Sequence, residues 1–204
     1  VVVSGNTAAE GGAIYNELSN LLTTNVTVSG NQATVGGGIY NQSSNPQHRN
    51  TIVWGNKADQ NANVCNDLST PGYFYSLIEG SNGSGSWDTS FGTDGGYNLD
   101  GSPLFRRNGF DNSGTMVTGD YKLSGNSRVV DKGNRLFVYD IRILTDIVLS
   151  SVSDLRYSSL PYDLDGNERI FNDKVDMGAY EYGSSNIHTP INRVVRLPFV
   201  DGLI

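Results

Sequence analysis

The chain has little of what usually holds a small secreted domain together or carries it through a membrane. Its 204 residues include one cysteine, Cys65, so there is no intrachain disulfide framework. A lone cysteine reads as a small buried apolar residue before it reads as a reactive thiol. No run of 18 apolar residues occurs, so no segment reads as a transmembrane helix. The opening, VVVSGNTAAEGG, has neither the basic start nor the apolar stretch of a signal peptide. Charge is scarce at 17% of residues, too little for a disordered polyampholyte. What charge exists is mostly negative, for a formal net of −7. That excludes the basic footprint of a nucleic-acid binder and argues against dependence on an anionic membrane surface.

Polarity comes instead from Gly, Asn, Ser and Thr. Twenty-five glycines alongside 37% apolar residues point to a turn-rich, all-β chain with enough material for a core. The arrangement is periodic. VVSGNTAAEGGAIYN (2–16), TVSGNQATVGGGIYN (27–41) and IVWGNKADQNANVCN (52–66) align without a gap, and a fourth phase falls on LIEG. Val3, Val28, Val53 and Ile78 are each 25 residues apart, as are Gly5, Gly30, Gly55 and Gly80.

A fixed period of this length means a solenoid. Helical repeats are excluded because Gly-Asn and Gly-Gly interrupt every candidate helix. Leucine-rich repeats need a denser leucine pattern. The expectation is a right-handed parallel β-helix with coils of about 25 residues, about three short strands per coil, stacked at roughly 4.8 Å. Val3, Val28, Val53 and Ile78 form an inward ladder; Ile14, Ile39 and Val64 begin another. Gly-Asn turns the chain, since glycine adopts positive φ at little cost and asparagine tolerates it. Stacked asparagines are expected to hydrogen-bond up the solenoid as amide ladders. Ala8, Ala33 and Ala58 are assigned to a tight corner, and Gly36-Gly37-Gly38 to the next bend. Tyr15 and Tyr40 should stack one coil apart as a wall feature, with a sugar platform as the second reading. Val1 begins in mid-repeat, so upstream coils or a cap are expected to be missing, and an uncapped end would favour end-to-end self-association.

Four regions follow: regular coils over 1–80, a loop excursion over 81–118, final coils and an irregular C-terminal cap over 119–182, and a tail or linker over 183–204. Trp87, Phe91 and Tyr97 are expected to pin the excursion to the body. Residues 140–154 hold the sole helix candidate. Six charged residues lie in 1–75 and 22 from Asp120 onward, so the later part reads as an ion-paired finishing element.

These phrases resemble the repeats of polymorphic outer-membrane proteins and related bacterial surface proteins. NTIVWGN (50–56) is similar to the last regular coil of that group. YSLIEG, SPLF, GDYKLS with VVDKGN, and DLDGNERI with VDMGAYEY resemble the phrases that follow it. Nearly all of 2–182 resembles secreted β-helix proteins of the choice-of-anchor type, in the wider pectate-lyase-like fold group. The resemblance implies an exported or outer-membrane-surface protein, mostly without assigned activity. Residues 140–159 read as an insertion, and no anchor is recognisable.

Fold alone does not carry function. A lyase would need calcium-holding acids beside a base, and a hydrolase a carboxylate pair about 5–10 Å apart. Glu10, Glu17, Asp59 and Asp67 fall at different phases, and His48 and His188 lack triad partners; both histidines read as surface residues. No catalytic, cofactor or metal residue is therefore assigned. Asp163–Arg169, DLDGNER, places oxygen ligands around a turn as calcium loops do, but Lys174 stands where an EF-hand needs glutamate. The favoured reading is an Asx turn with Arg169 bonded to Asp163, Asp165 or Asp176; Ca²⁺ is the alternative. Three functions follow in order: a non-enzymatic adhesion or interaction scaffold contacting a glycan or a host or cell-surface protein; a glycan-binding module using Trp87, Tyr73, Phe74 or Tyr75; and a remnant of a polysaccharide lyase or glycosidase.

Overall fold

Short β-branched segments between Gly-Asn turns favour short strands, and the computed structural model, which describes residues 1–138 and 162–183, forms them at every repeat. Coil 1 (1–25) carries β1 (Val2–Val3), β2 (Ile14–Glu17) and β3 (Leu22–Thr24). Coil 2 (26–50) carries β4 (Thr27–Ser29), β5 (Gln32–Val35), β6 (Ile39–Gln42) and β7 (Gln47–Arg49). Coil 3 (51–75) carries β8 (Ile52–Trp54), β9 (Lys57–Gln60), β10 (Val64–Asp67) and β11 (Gly72–Phe74). A full coil thus has four strands where about three were expected.

Each strand pairs in parallel with its counterpart one coil away, giving four walls: β1-β4-β8, β5-β9, β2-β6-β10 and β3-β7-β11. The register is the one the period predicts: Val3 opposes Val28, Val28 opposes Val53, and Ile78 opposes Val53. Ile14, Ile39 and Val64 align likewise. The protein is a parallel β-solenoid. Val28, Val53, Ile78, Ile39, Val64 and Tyr73 fill its interior.

The turns follow the same logic. Gly5, Gly30 and Gly55 have φ of 73°, 71° and 64°. Gly11 and Gly36 share a second positive-φ position, which Asn61 takes in coil 3 at φ 54°. Ala33 and Ala58 do not form a corner. They oppose each other inside β5 and β9, where a small side chain suits a narrow interior.

Coil 4 departs from the pattern. After β12 (Leu77–Ile78) the chain forms a 3-10 turn at Thr89–Phe91, then β13 (Thr93–Asp94), which pairs with β11 at Gly72↔Thr93. Leu99 then bridges to Leu77. The turn from 72 to 93 uses 21 residues and that from 77 to 99 uses 22, and neither second-wall nor third-wall strand forms in coil 4. Residues 81–100, read from sequence as an excursion, therefore still wind around the solenoid axis. Trp87 and Phe91 pack against the interior cluster, and Trp87 Nε1 donates to the Gly92 carbonyl at 2.9 Å. Tyr97 instead remains 69% exposed, stacked on Tyr75 at 4.5 Å.

The irregular C-terminal region lies along the flank of the stack. The hairpin of β14 (Phe105–Arg107) and β15 (Asp120–Leu123) lays Phe105, Tyr121 and Leu123 over Ile52 and Leu77, on the outer side of the first wall, together with Val129 and Met177. The Tyr121 hydroxyl donates to the Ser29 carbonyl at 3.1 Å. Ala179 N donates to Thr27 Oγ1, Gly178 N to the Asn50 carbonyl, and Asn25 Nδ2 to the Asp176 carbonyl. The first wall is thus buried on both faces, each enclosed Ile or Leu contributing about 1.5–3 kcal/mol. The helix candidate at 140–154 and residues 184–204 of the tail lie outside the described residues.

Candidate functional site

Asparagine ladders run up the stack as the repeat predicts. Asn6 Nδ2 donates to Asn31 Oδ1 at 2.9 Å, Asn31 Nδ2 to Asn56 Oδ1 at 3.0 Å, and Asn56 Nδ2 to Asn63 Oδ1 at 3.0 Å. A second ladder joins Asn16, Asn41 and Asn66 at 2.8 and 2.9 Å and ends on the Ser90 carbonyl. Tyr15 and Tyr40 stack in parallel, centroids 5.3 Å apart, with the Tyr15 hydroxyl donating to Gln42 Oε1. Cys65, expected to be buried, is half-buried one coil above Tyr40 and accepts from Asn61 Nδ2 at 3.3 Å.

Where coil 4 loses its second-wall and third-wall strands, a groove opens. Its cavity of about 390 Å³ is floored by Asn61, Ala62, Asn63, Val64 and Asn66, with Glu79, Gly80, Ser90 and Phe91 along its wall. Glu79 is half-buried there. Its Oε2 accepts from Gly55 N and from Asn63 Nδ2, both at 2.8 Å. The first asparagine ladder therefore ends on a carboxylate at the groove. The same geometry explains why coil 3 carries no glycine triplet. A Cβ on Gly37 would fall on the carbonyl oxygens of Lys57 and Ala62 in the coil above, and one on Gly12 would fall on that of Gly37. No strand of coil 4 lies over Ala62, so a side chain is tolerated there.

Two other hollows lie elsewhere. One of about 630 Å³ is lined by Asn82, Ser84, Asn98, Asp100 and Arg128, where the Arg128 guanidinium already donates to the Asp100 carbonyl. One of about 290 Å³ beside Tyr180 contains the Lys122–Asp165 ion pair at 2.9 Å.

DLDGNER forms the expected turn with a different arginine partner. Asp163 Oδ1 accepts from the Asp165 and Asn167 N–H groups at 2.9 and 2.8 Å. Its Oδ2 accepts from Asn167 Nδ2 and from Glu181 N. Both oxygens are occupied by backbone and amide donors, as in an Asx turn. Arg169 does not reach Asp163, Asp165 or Asp176. Its guanidinium donates to the Gly178 and Ala179 carbonyls and to Glu181 Oε1 at 3.2 Å. Glu181 Oε2 accepts from Asp176 N, while Asp176 accepts from the N–H groups of Asp131 and Tyr182. Burial pushes the Glu181 carboxyl upward against the pull of Arg169, and pushes Asp176 up to about 6. The arrangement fastens the DMGAYE phrase to the turn.

Several residues singled out from sequence sit elsewhere than expected. His48 is not a surface histidine: it is fully buried, with Nδ1 2.8 Å from Thr23 Oγ1 and its ring 4.9 Å from that of Tyr73. Burial holds its imidazole well below its ordinary value, at about 4. Tyr73, a candidate sugar platform, has no exposed surface and cannot serve as one. Phe74 and Tyr75 are half-buried around Phe137. His188 lies outside the described residues. Sequence reasoning missed the groove, whose available signal was the failure of the 25-residue period after Gly80.

The fold defines the class, a parallel β-solenoid built on 25-residue repeats. Within it, residues 1–17 and 25–42 match the Chlamydia polymorphic membrane protein repeat. No curated protein and no solved structure matches the chain.

Proposed function

We propose that this protein is a non-enzymatic β-solenoid of a bacterial cell surface or of the secreted fraction, serving as a rigid scaffold for adhesion or contact. The observation that carries this reading is the repeat match within a stack of coils in strict register. The carboxylates support it. Asp94, Asp100, Asp111 and Asp163 each accept backbone N–H groups in turns, a shaping role. The described residues include no helix long and apolar enough to cross a membrane, which leaves attachment to other parts of the polypeptide or to strands. The test is to label intact cells producing the full-length protein with a membrane-impermeant amine reagent. Labelling of the exposed Lys132 and Lys174 before lysis is expected; labelling only after lysis would overturn the surface assignment.

A second reading, a glycan-binding module, is favoured by one feature. Tyr97 presents an exposed ring backed by Tyr75, the geometry on which a sugar face stacks. Trp87 and Phe91 are engaged in packing and are weaker candidates. A glycan array probed with the protein and with Tyr97→Ala separates the readings. Binding lost in the variant, at unchanged thermal stability, would displace the scaffold reading.

A further inference from the structure

We propose that the groove above coil 3 is an acceptor for an extended, basic segment of a partner protein, which enters as the strand that coil 4 lacks. In coil 2, the N–H groups of Gly36, Gly38 and Ile39 donate upward to the carbonyls of Gln60, Ala62 and Asn63 at 3.0, 3.0 and 2.9 Å. Their counterparts in coil 3 are the N–H groups of Asn61, Asn63 and Val64, and none of these has a hydrogen-bond partner. Asn63 and Val64 are nonetheless buried residues, and buried backbone donors are nearly always paired. β9 and β10 each have a neighbour on one side only. β9 and the start of β10 form an unpaired parallel edge that faces a cavity of about 390 Å³, the far end of β10 being covered by the 3-10 turn at Thr89–Phe91.

Length and charge select the occupant. Coil 4 is short by three to four residues, since its 22 and 21 replace 25; β5 and β9 are four residues each. A four-residue strand spans roughly 13 Å. Glu79 stands in the groove wall with Oε2 already bonded and Oε1 without a hydrogen-bond partner. Asp59 and Asp67 lie on β9 and β10, and the one cation on these strands, Lys57, is held by the Gly114 carbonyl and the Phe110 ring. Main-chain bonds to the edge supply affinity and a Lys or Arg facing Glu79 supplies selection, the usual division of labour when a peptide extends a sheet. The short edge with a charged Asp59 discourages indiscriminate pairing. A second copy of this chain would bring its own acidic coils to an acidic edge.

The probes are blocked hexapeptides of alternating valine and lysine, the same length with glutamate for lysine, and the lysine peptide with alternate backbone N–H groups methylated. Binding to the whole chain is followed by amide chemical shifts and titration calorimetry. The lysine peptide is expected to bind with shifts concentrated at Asn61–Val64 and Gly80, and with slowed exchange at the Asn61, Asn63 and Val64 amides. The glutamate peptide should bind at least tenfold more weakly, and the methylated peptide should not bind. Glu79→Gln keeps an acceptor for Gly55 and Asn63 and should weaken lysine-peptide binding about fivefold to tenfold. Equal binding of both charge types, shifts located elsewhere, no binding at millimolar peptide, or an unchanged affinity in Glu79→Gln would overturn the proposal. Concentration-dependent dimerisation protecting the same amides in the absence of peptide would overturn the partner assignment in favour of self-pairing. A surface location can fail its own labelling test without affecting any of these outcomes.

Discussion

Asn31 is the middle rung of the longest amide ladder, and replacing it with alanine separates a ladder that bears load from one that merely decorates turns. Asn31 has no exposed surface. Its Oδ1 accepts from the Asn6 N–H and from Asn6 Nδ2; its Nδ2 donates to the Val3 carbonyl at 2.9 Å and to Asn56 Oδ1 at 3.0 Å. Asn56 Oδ1 also accepts from Asn31 N and so keeps a partner. The Val3 carbonyl loses this donor, while the donors of the exposed Asn6 turn to water and Asn6 Nδ2 keeps the Ser4 carbonyl. Losing the buried amide's hydrogen bonds should cost roughly 2 kcal/mol for Asn31→Ala. Asn6 is exposed, and Asn6→Ala should cost less than about 1 kcal/mol because water replaces the lost contacts. Asn31→Asp keeps the acceptor for Asn6 but turns an oxygen toward Val3 O and Asn56 Oδ1. It should be at least as damaging as alanine at neutral pH. Urea unfolding followed by circular dichroism reads all three. If Asn31→Ala lies within 1 kcal/mol of the parent, or if Asn6→Ala is its equal, the ladder does not carry the turns and the reasoning is wrong.

Three further perturbations test other parts of the fold. His48 is held neutral at about 4 by burial, below its unfolded value near 6.5, so the unfolded chain binds the proton first as pH falls. Stability should drop between about pH 6.5 and 4, by roughly 3 kcal/mol in all. Asp176, raised to about 6, works in the opposite direction over nearly the same range, so the readout is the difference in pH dependence between the parent and His48→Gln; parallel curves would refute it. Gly37→Ala places its Cβ on the carbonyls of coil 3 and should cost more than 2 kcal/mol in urea unfolding, whereas Gly5→Ala meets nothing within 4 Å and bears only the positive-φ strain of about 1 kcal/mol. Equal costs would mean that the carbonyls of coil 3 give way to the added methyl and that close approach is not what requires glycine at Gly37. Arg169→Leu leaves the Gly178 and Ala179 carbonyls and Glu181 Oε1 without their buried donor and should cost about 3–5 kcal/mol; because burial already favours the uncharged Glu181 carboxyl, adding Glu181→Gln should recover little, and recovery of most of the loss in thermal melts would show that charge, not the lost donor, dominates there.

The interior of the stack was legible because one interval repeats. Val3, Val28 and Val53 can share a column only if every coil has the same length, and the ungapped phrases say that it does. The outer layer was harder to read. Ile52 and Leu77 sit beside inward Val53 and Ile78, and consecutive apolar residues in a short strand signal a wall buried on both faces. The covering residues, Tyr121 and Met177, are far along the chain and share no period with the coils. His48 was misread because a lone histidine carries no mark of the column it occupies, between Thr23 below and Tyr73 above. Arg169 was placed on nearby acids by sequence proximity, whereas its partner is set by a bend that brings Glu181 back across the turn. The groove at Glu79 arises from residues that are missing, and a shortened coil shows in sequence only as the end of a pattern.

A solenoid ordinarily frays from either end, since each turn touches only its neighbours. Here residues 176–179, late in the chain, are stitched to Asn25, Thr27 and Asn50, early in it. The polypeptide folds back along its own stack like the clasp of a bracelet, so the second turn cannot peel away until that clasp lets go. Hydrogen exchange in coil 2 should therefore proceed through a concerted opening with the 176–179 segment, and tension along the axis would be shared between the rungs and the clasp.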